Sequence, residues 1–129
     1  MPKNIEWTPG TYAHFLCSDL RDDKEIRKQL VREFSIMTHP DEKQIGFTKR
    51  IRQEPSEFKQ ILRNLRIGDE IRMFKFGNHL QKQHTDHPLV LISMGVGIAT
   101  FRPIIIEYIN NDSQTPFITN INIDRSGNF

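Results

Sequence analysis

Apolar and polar residues alternate over much of the chain, and this pattern predicts a mainly β protein. On a strand, successive side chains point to opposite faces, so apolar residues with a period of two mark one buried face. Four stretches show this period or a close approach to it, namely residues 11–20, 30–37, 44–51 and 71–76. In the second stretch the apolar residues Phe34 and Ile36 share a face with Arg32.

One segment between the third and fourth predicted strands has helical spacing instead. Its apolar residues lie at positions i, i+3, i+4 and i+7, and they are Phe58, Ile61, Leu62 and Leu65. Ser56 is a suitable N-cap residue and Gly68 is typical of a position just after a helix. We therefore predict a helix that begins near Ser56.

The last third of the chain predicts a strand-helix-strand unit. Residues 89–93 form a short continuous apolar run, as in buried parallel strands. A turn with Gly95 and Gly97 follows, and residues 101–109 repeat apolar residues at helical spacing with Pro103 in the first turn. Residues 117–123 alternate again. Glycines between a buried strand and a helix allow the backbone to approach a diphosphate closely.

Composition excludes several classes of protein. The chain has 129 residues, of which 36% are hydrophobic and 26% are charged, which is typical of a globular domain rather than a disordered one. No apolar run reaches the length of a membrane-spanning helix, and the first residues lack the apolar region of a signal peptide, so we expect a cytoplasmic protein without a membrane partner. A single cysteine, Cys17, excludes an internal disulfide and is expected to be a buried thiol.

Candidate chemistry is concentrated in the strand around Arg32. A guanidinium can bind a phosphate through two hydrogen bonds, and an aromatic ring two residues away, at Phe34, can stack on a flat heterocycle. Ser35 adds a hydroxyl and a backbone amide. At the predicted helix start, free amides and the hydroxyl of Ser56 could bind a second phosphate oxygen.

Two other interpretations are disfavoured. Three histidines and an aspartate in one polar stretch could suggest a metal site, but His79, His84, Asp86 and His87 lack the regular spacing of known sites, so we predict no metal. Basic residues exceed acidic ones between 49 and 75, which leaves as an alternative a non-enzymatic OB-like barrel that binds single-stranded nucleic acid. That alternative needs an exposed aromatic row, whereas the phenylalanines fit core positions at Phe47, Phe58, Phe74 and Phe76. We therefore expect no nucleic-acid partner.

Four segments, taken in order, resemble one known family. Arg32-Glu33-Phe34-Ser35 resembles the Arg-x-Tyr/Phe-Ser signature of the ferredoxin-NADP reductase-like flavoproteins. Upstream, residues 7–12 are similar to the Pro-Gly-Gln-aromatic turn of that family. Downstream come Ser56 at a helix start and Gly68-Asp69 before a strand. Finally, residues 89–102 resemble the strand and Gly-x-Gly-Ile turn that open the nicotinamide domain.

The resemblance implies a fold and a function. Residues 1–87 would form an antiparallel FAD-binding β-barrel of Greek-key type with one helix, and residues 88–129 the start of an incomplete, Rossmann-like NAD(P)-binding domain. The implied activity is that of an FAD-dependent oxidoreductase that transfers electrons between NAD(P)H and an acceptor, either a small molecule or a redox protein.

The resemblance also assigns roles to particular residues. Arg32 would bind the FAD diphosphate, Phe34 would stack on the flavin, and the catalytic Ser35 would lie at the reactive ring edge. Ser56 would support the phosphate, and Gly95 and Gly97 would form the turn that faces the nicotinamide nucleotide.

The position of the first turn gives a further expectation. In the family, strands precede the Pro-Gly turn, whereas here that turn comes at residue 9, so we expect the barrel to lack its opening strands. The nucleotide domain is also expected to be incomplete, and with it the catalytic machinery. Unpaired strand edges and uncovered apolar faces then predict a homo-oligomer or a complementary chain as partner.

Overall fold

The structure of the protein is a computed structural model that describes residues 5–17, 30–81, 84, 86–111 and 114–124. The predicted turn at residues 21–28 lies outside this part of the chain. The described elements, in chain order, are β1 (Thr11–Leu16), β2 (Val31–Ser35), a 3-10 turn (Pro40–Glu42), α1 (Glu57–Asn64), β3 (Arg72–Asn78), β4 (Leu89–Met94), a second 3-10 turn (Gly95–Thr100), α2 (Arg102–Asn110) and β5 (Ile118–Ile123).

The first three strands form an antiparallel sheet in the order β2-β1-β3. Ala13 pairs with Phe34 and Phe15 with Arg32, so these side chains lie on the same face of the sheet. On the β3 side the register shifts by one residue next to Ala13, at a β-bulge. Lys75 lies in this bulge with a φ of 50°, which gives the edge strand its local kink.

Aromatic rings fill the space between this sheet and α1. Phe58 is fully buried and lies 5.7 Å from the ring of Phe34, and Phe15 packs against Phe34 and Phe47. Ile61 and Leu62 of α1 pack against the same cluster, as the helical spacing predicts. Cys17 is buried beside them, which raises the pKa of its thiol. The prediction of a buried cysteine is therefore confirmed.

The structure differs from the sequence prediction at residues 44–51, which form no strand. A backbone hydrogen bond of 2.8 Å joins Met37 N–H to Gly46 O, but no ladder continues from it within this segment. Ile45 and Phe47 still pack against the core, whereas Ile51, on the same predicted face, is 39% exposed. Within the described residues the sheet is open and does not close into a barrel.

The last third of the chain forms the predicted strand-helix-strand arrangement. β4 and β5 pair in parallel, and α2 lies between them in sequence. Pro103 lies in the first turn of α2, as expected, and is buried with Ile104. Between β4 and α2 the chain passes through the 3-10 turn that begins at Gly95. The fold is thus mixed, with an antiparallel sheet followed by a parallel pair; the boundary at residue 87 stays a prediction.

An ion pair and a hydrogen bond attach the Pro40–Glu42 turn and its N-cap residue His39 to α2. The Arg102 guanidinium donates to both carboxylate oxygens of Glu42, at 2.6 and 3.0 Å, and to Met37 O at 3.0 Å. His39, almost fully buried, contacts Glu107 through Nε2 at 2.7 Å. The hydrogen bond from Arg102 and another from the His39 amide lower the pKa of Glu42 from 4.5 to about 2. The carboxylate stays ionised, which holds the two parts of the chain together over a wide pH range.

The helices of the described residues are short, and none combines the length and apolarity needed to cross a membrane.

Candidate functional site

The predicted site residues of β2 divide between the two faces of the sheet. Arg32 and Phe34 lie on the inner face, which packs against α1, because they pair with the inward-facing Phe15 and Ala13. Ser35 pairs with Tyr12 on the outer face. A ligand that touches all three residues must therefore pass around the end of β2.

The Arg32 side chain reaches the first turn of α1, the helix that Ser56 caps. The Arg32 guanidinium lies 5.8 Å from the ring centre of Phe58, the second residue of that helix. Ser56 is the N-cap residue, as predicted, with an extended backbone, but its hydroxyl makes no capping hydrogen bond. Arg32 thus lies against the first turn of α1, where the Ser56 hydroxyl and the free helix amides are also found, and groups of these kinds suit an anion site.

Lys49 adds a second positive charge to this group. Its Nζ lies 5.4 Å from the ring centre of Phe34, close enough for a cation–π contact. In the sequence, Lys49 is only one of many basic residues between positions 49 and 75. The signal that could have found it is its position in the alternation of residues 45–51, which places Lys49 on the same side as Phe47.

The ring of Phe34 is not open to a planar ligand in this arrangement. Phe34 is 7% exposed, and Phe47 stacks on it at 4.6 Å with an angle of 8° between the ring planes. Phe47 therefore occupies the place where a flavin would stack. Stacking of a cofactor on Phe34 stays a prediction that requires Phe47 to move aside.

A cavity of about 890 Å³ lies between the 3-10 turn at Gly95 and the segment that follows β2. One wall comes from the Gly95 turn, α2 and the end of β5, and the other from Met37, Thr48 and Arg50. The volume lies within the range of small-molecule sites. Its place at the carboxyl ends of parallel strands is where open α/β sheets bind ligands.

The two glycines of the turn have different positions relative to this cavity. Gly95 lines it and has a φ of 53°, and an added Cβ would meet no atom within 4 Å. Gly97 is absent from the cavity wall, and its Cβ would lie 3.8 Å from that of Ser93. Gly95 is thus the glycine of the turn that lines the cavity, whereas a Cβ at Gly97 would make only an ordinary van der Waals contact with Ser93.

Three charged residues line the cavity, namely Arg50, Arg102 and Asp124. Within the described part of the chain Arg50 has no hydrogen bond or ion pair, whereas Arg102 is held by Glu42. An unpaired guanidinium at the rim of an apolar cavity favours a ligand with an anionic group. Met37, Val96 and Ile98 supply the apolar part of the wall.

The outer face of the antiparallel sheet carries a row of rings that the sequence analysis did not expect. The ring of Tyr12 stacks on that of His79, with the ring centres 5.0 Å apart. A hydrogen bond of 3.0 Å joins the Tyr12 hydroxyl to His79 Nε2. His14 lies 5.7 Å from Phe74, and Phe76 is 44% exposed. Two of the four phenylalanines assigned to the core, at positions 74 and 76, therefore lie outside it.

Two histidines and an aspartate come close together in the loop before β4. The ligand atoms of His84, Asp86 and His87 lie within 4.8 Å of one another, and all three side chains are exposed. His87 Nδ1 is 2.8 Å from Asp86 Oδ1, which satisfies this pair in the absence of a metal. We keep the prediction that the chain has no metal site.

The geometry can be compared with known proteins. No family model matches the chain. No curated protein is significantly similar to it either.

Proposed function

We propose that this chain is the FAD-binding part of an NAD(P)H-dependent oxidoreductase, with its antiparallel sheet belonging to a flavin-binding barrel. One observation carries the proposal. The guanidinium of the signature arginine, Arg32, lies 5.8 Å from the ring centre of Phe58, two residues after the helix-capping Ser56, and the resemblance assigns Arg32 and Ser56 to one phosphate group.

The proposed diphosphate site contains the groups that phosphate binding requires. Arg32 can offer parallel N–H donors, Lys49 a compact cation, and α1 the positive end of its dipole. Arg32 Nη1 donates to Val31 O at 2.6 Å, which fixes the guanidinium and leaves its other donors for a ligand. When bound, FAD supplies the redox chemistry by accepting hydride and releasing electrons to an acceptor, which can be a small molecule or a redox protein.

We further propose that NAD(P)H uses the cavity at Gly95. Arg50 would bind a phosphate of the nucleotide, and the apolar wall formed by Val96 and Ile98 would exclude water from the ring. Ser35 lies two residues before Met37, which lines this cavity. The resemblance gives the Ser35 hydroxyl its role at the reactive edge of a flavin, and its position in the chain close to the cavity supports that role.

The proposal is tested by titrating the purified chain with FAD and following flavin fluorescence and visible absorbance. A lost charge-assisted hydrogen bond costs about 1.5 to 3 kcal/mol, so Arg32→Ala should weaken FAD binding roughly 10- to 150-fold. Arg63→Ala is the matched control, because Arg63 is exposed on α1 and outside the proposed site. Identical binding curves for wild type and Arg32→Ala would refute the assignment of Arg32.

Binding of single-stranded nucleic acid is the second candidate, and the outer row of Tyr12, His14, Phe74 and His79 favours it, since bases stack on such rings. Glu33 opposes it, because its carboxylate lies 3.7 Å from His14 on the same face and would repel phosphates. A titration with a labelled oligonucleotide at several salt concentrations distinguishes the two. Affinity that falls steeply with salt and is lost in Tyr12→Ala would favour the nucleic-acid function.

A further inference from the structure

The parallel pair β4–β5 has an uncovered face that is almost entirely apolar. In its register Val90 pairs with Thr119, Ile92 with Ile121, and Met94 with Ile123, so these side chains share one face. Phe117, just before β5, continues the alternation. The large apolar side chains of this face are between 47% and 63% exposed: Val90, Ile92, Met94, Phe117, Ile121 and Ile123. We call these six residues, together with Thr119, the open face.

The opposite face of the same two strands is covered at Leu91 and Ser93 and open at Asn120, and it is more polar. There Leu91 pairs with Asn120 and Ser93 with Asn122, and the Ser93 hydroxyl donates to Asn122 Oδ1 at 2.8 Å. Leu91 and Ser93 are buried. The usual distribution is thus inverted, since the more apolar face of the pair is the one in contact with solvent. Parallel strands are normally covered on both faces, so the open face is suited to a further layer.

The size of the open face supports a protein partner. Among the described residues, six of the twelve large apolar side chains that are exposed lie on it. Six half-exposed side chains of this size form a patch of several hundred Å², which is the size at which patches on monomers mark interaction sites. A standard interface buries about 800 Å² per partner, so this patch can form the core of a small one.

The chemistry of the open face limits the partner. It contains no ionisable side chain, so an acidic or basic partner would find no opposite charge there. A partner must itself present a flat apolar face of similar extent. A second copy of this chain presents one at equal concentration, and an isologous contact needs no other surface.

We propose that two copies of the chain associate through their open faces, with the sheets stacked about a two-fold axis. The axis passes across the centre of the Ile92–Ile121 pair. The small Val90–Thr119 pair of one copy then packs against the larger Met94–Ile123 pair of the other. The two sheets then lie about 10 Å apart, at the usual spacing of packed sheets. Because the patch is small for a dimer interface, the dissociation constant is expected to be on the order of micromolar.

The proposal is tested by sedimentation velocity on the full chain from about 1 to 200 µM, which spans the micromolar range. Wild type should shift from monomer to dimer. Ile92→Asp places a carboxylate in the centre of each face and should weaken the dimer at least about 100-fold. The matched control is Ile67→Asp, because Ile67 is fully exposed and lies outside the open face. It should dimerise like wild type.

A second measurement avoids the risk that Ile92→Asp fails to fold. Hydrogen exchange of the unmodified protein, compared at low and high concentration, should show protection that rises with concentration at residues 90–94 and 118–123. The milder Ile121→Thr should raise the dissociation constant by roughly 10-fold with an unchanged circular dichroism spectrum. A monomer at all concentrations, larger aggregates in place of a dimer, or a dimer that is indifferent to Ile92→Asp and Ile121→Thr would overturn the proposal.

Discussion

Phe58 connects the core to the proposed phosphate site, so its removal should be costly. The side chain is fully buried, lies 5.7 Å from the ring of Phe34, and supports the Arg32 guanidinium at 5.8 Å. Replacing a buried phenylalanine by alanine costs about 3 to 5 kcal/mol through lost transfer energy and the cavity that remains. The aromatic and cation–π contacts favour the upper half of this range, so we expect Phe58→Ala to lose about 4 kcal/mol. That is a large part of the roughly 5 to 15 kcal/mol that stabilises an ordinary domain.

The measurement is urea unfolding followed by far-ultraviolet circular dichroism, with the slope of the transition fitted for each variant. Phe76→Ala is the matched control, since Phe76 is 44% exposed and should lose about 1 kcal/mol or less. Phe58→Leu keeps most of the apolar volume and should lose less than Phe58→Ala, which provides a reading if the alanine variant does not fold. If Phe58→Ala loses less than about 1 kcal/mol, the ring is not packed as described and the geometry around Arg32 is wrong.

Two further predictions follow from groups with displaced pKa values. The folded-state pKa of Glu42, about 2, is below its ordinary 4.5, so the stability that its contact with Arg102 contributes should be fully present above pH 4.5 and be lost as the pH falls towards 2. Thermal unfolding is measured between pH 7 and 2.5 by the fluorescence of Trp7. The melting temperature should fall less with decreasing pH in Glu42→Gln than in wild type, whereas the control Glu54→Gln should behave like wild type. Equal curves for all three proteins would contradict this prediction. Burial raises the pKa of the Cys17 thiol, so this thiol should not react with a disulfide reagent at pH 8 in the native protein. It should react fully in denaturant. Rapid labelling of the native protein would contradict the burial of Cys17.

The sequence predicted best those elements whose signals are local. The helix beginning after Ser56 has both a capping residue and a complete apolar stripe, and α1 begins where they indicate. It ends at Asn64, earlier than Gly68 suggested, because Gly68 belongs to the next turn, where Asp69 N–H donates to Arg66 O. The run 89–93 and the alternation of 117–123 likewise gave the positions of β4 and β5, and the glycine turn gave the parallel connection between them.

The remaining features depend on contacts between distant segments. Residues 44–51 alternate like a strand, but a strand also needs a neighbour along its length, and the described backbone supplies only the bond from Met37 to Gly46. The pairing of Arg102 with Glu42 and that of His39 with Glu107 join residues more than 50 positions apart, and nothing local distinguishes these side chains from surface charges. For the same reason Phe74 was assigned to the core, although the bulge at Lys75 places it with His14 on the outer face.

The positions of the basic side chains indicate the shape of the proposed ligand. Lys49 contacts the ring of Phe34 near the start of α1, whereas its neighbours Thr48 and Arg50 line the cavity at Gly95. Residues 48–50 therefore separate two places where an anion can bind, one beside Arg32 and one beside Arg50. A mononucleotide would use one of them. Two dinucleotides would use both, as the proposed transfer of hydride from NAD(P)H to FAD requires.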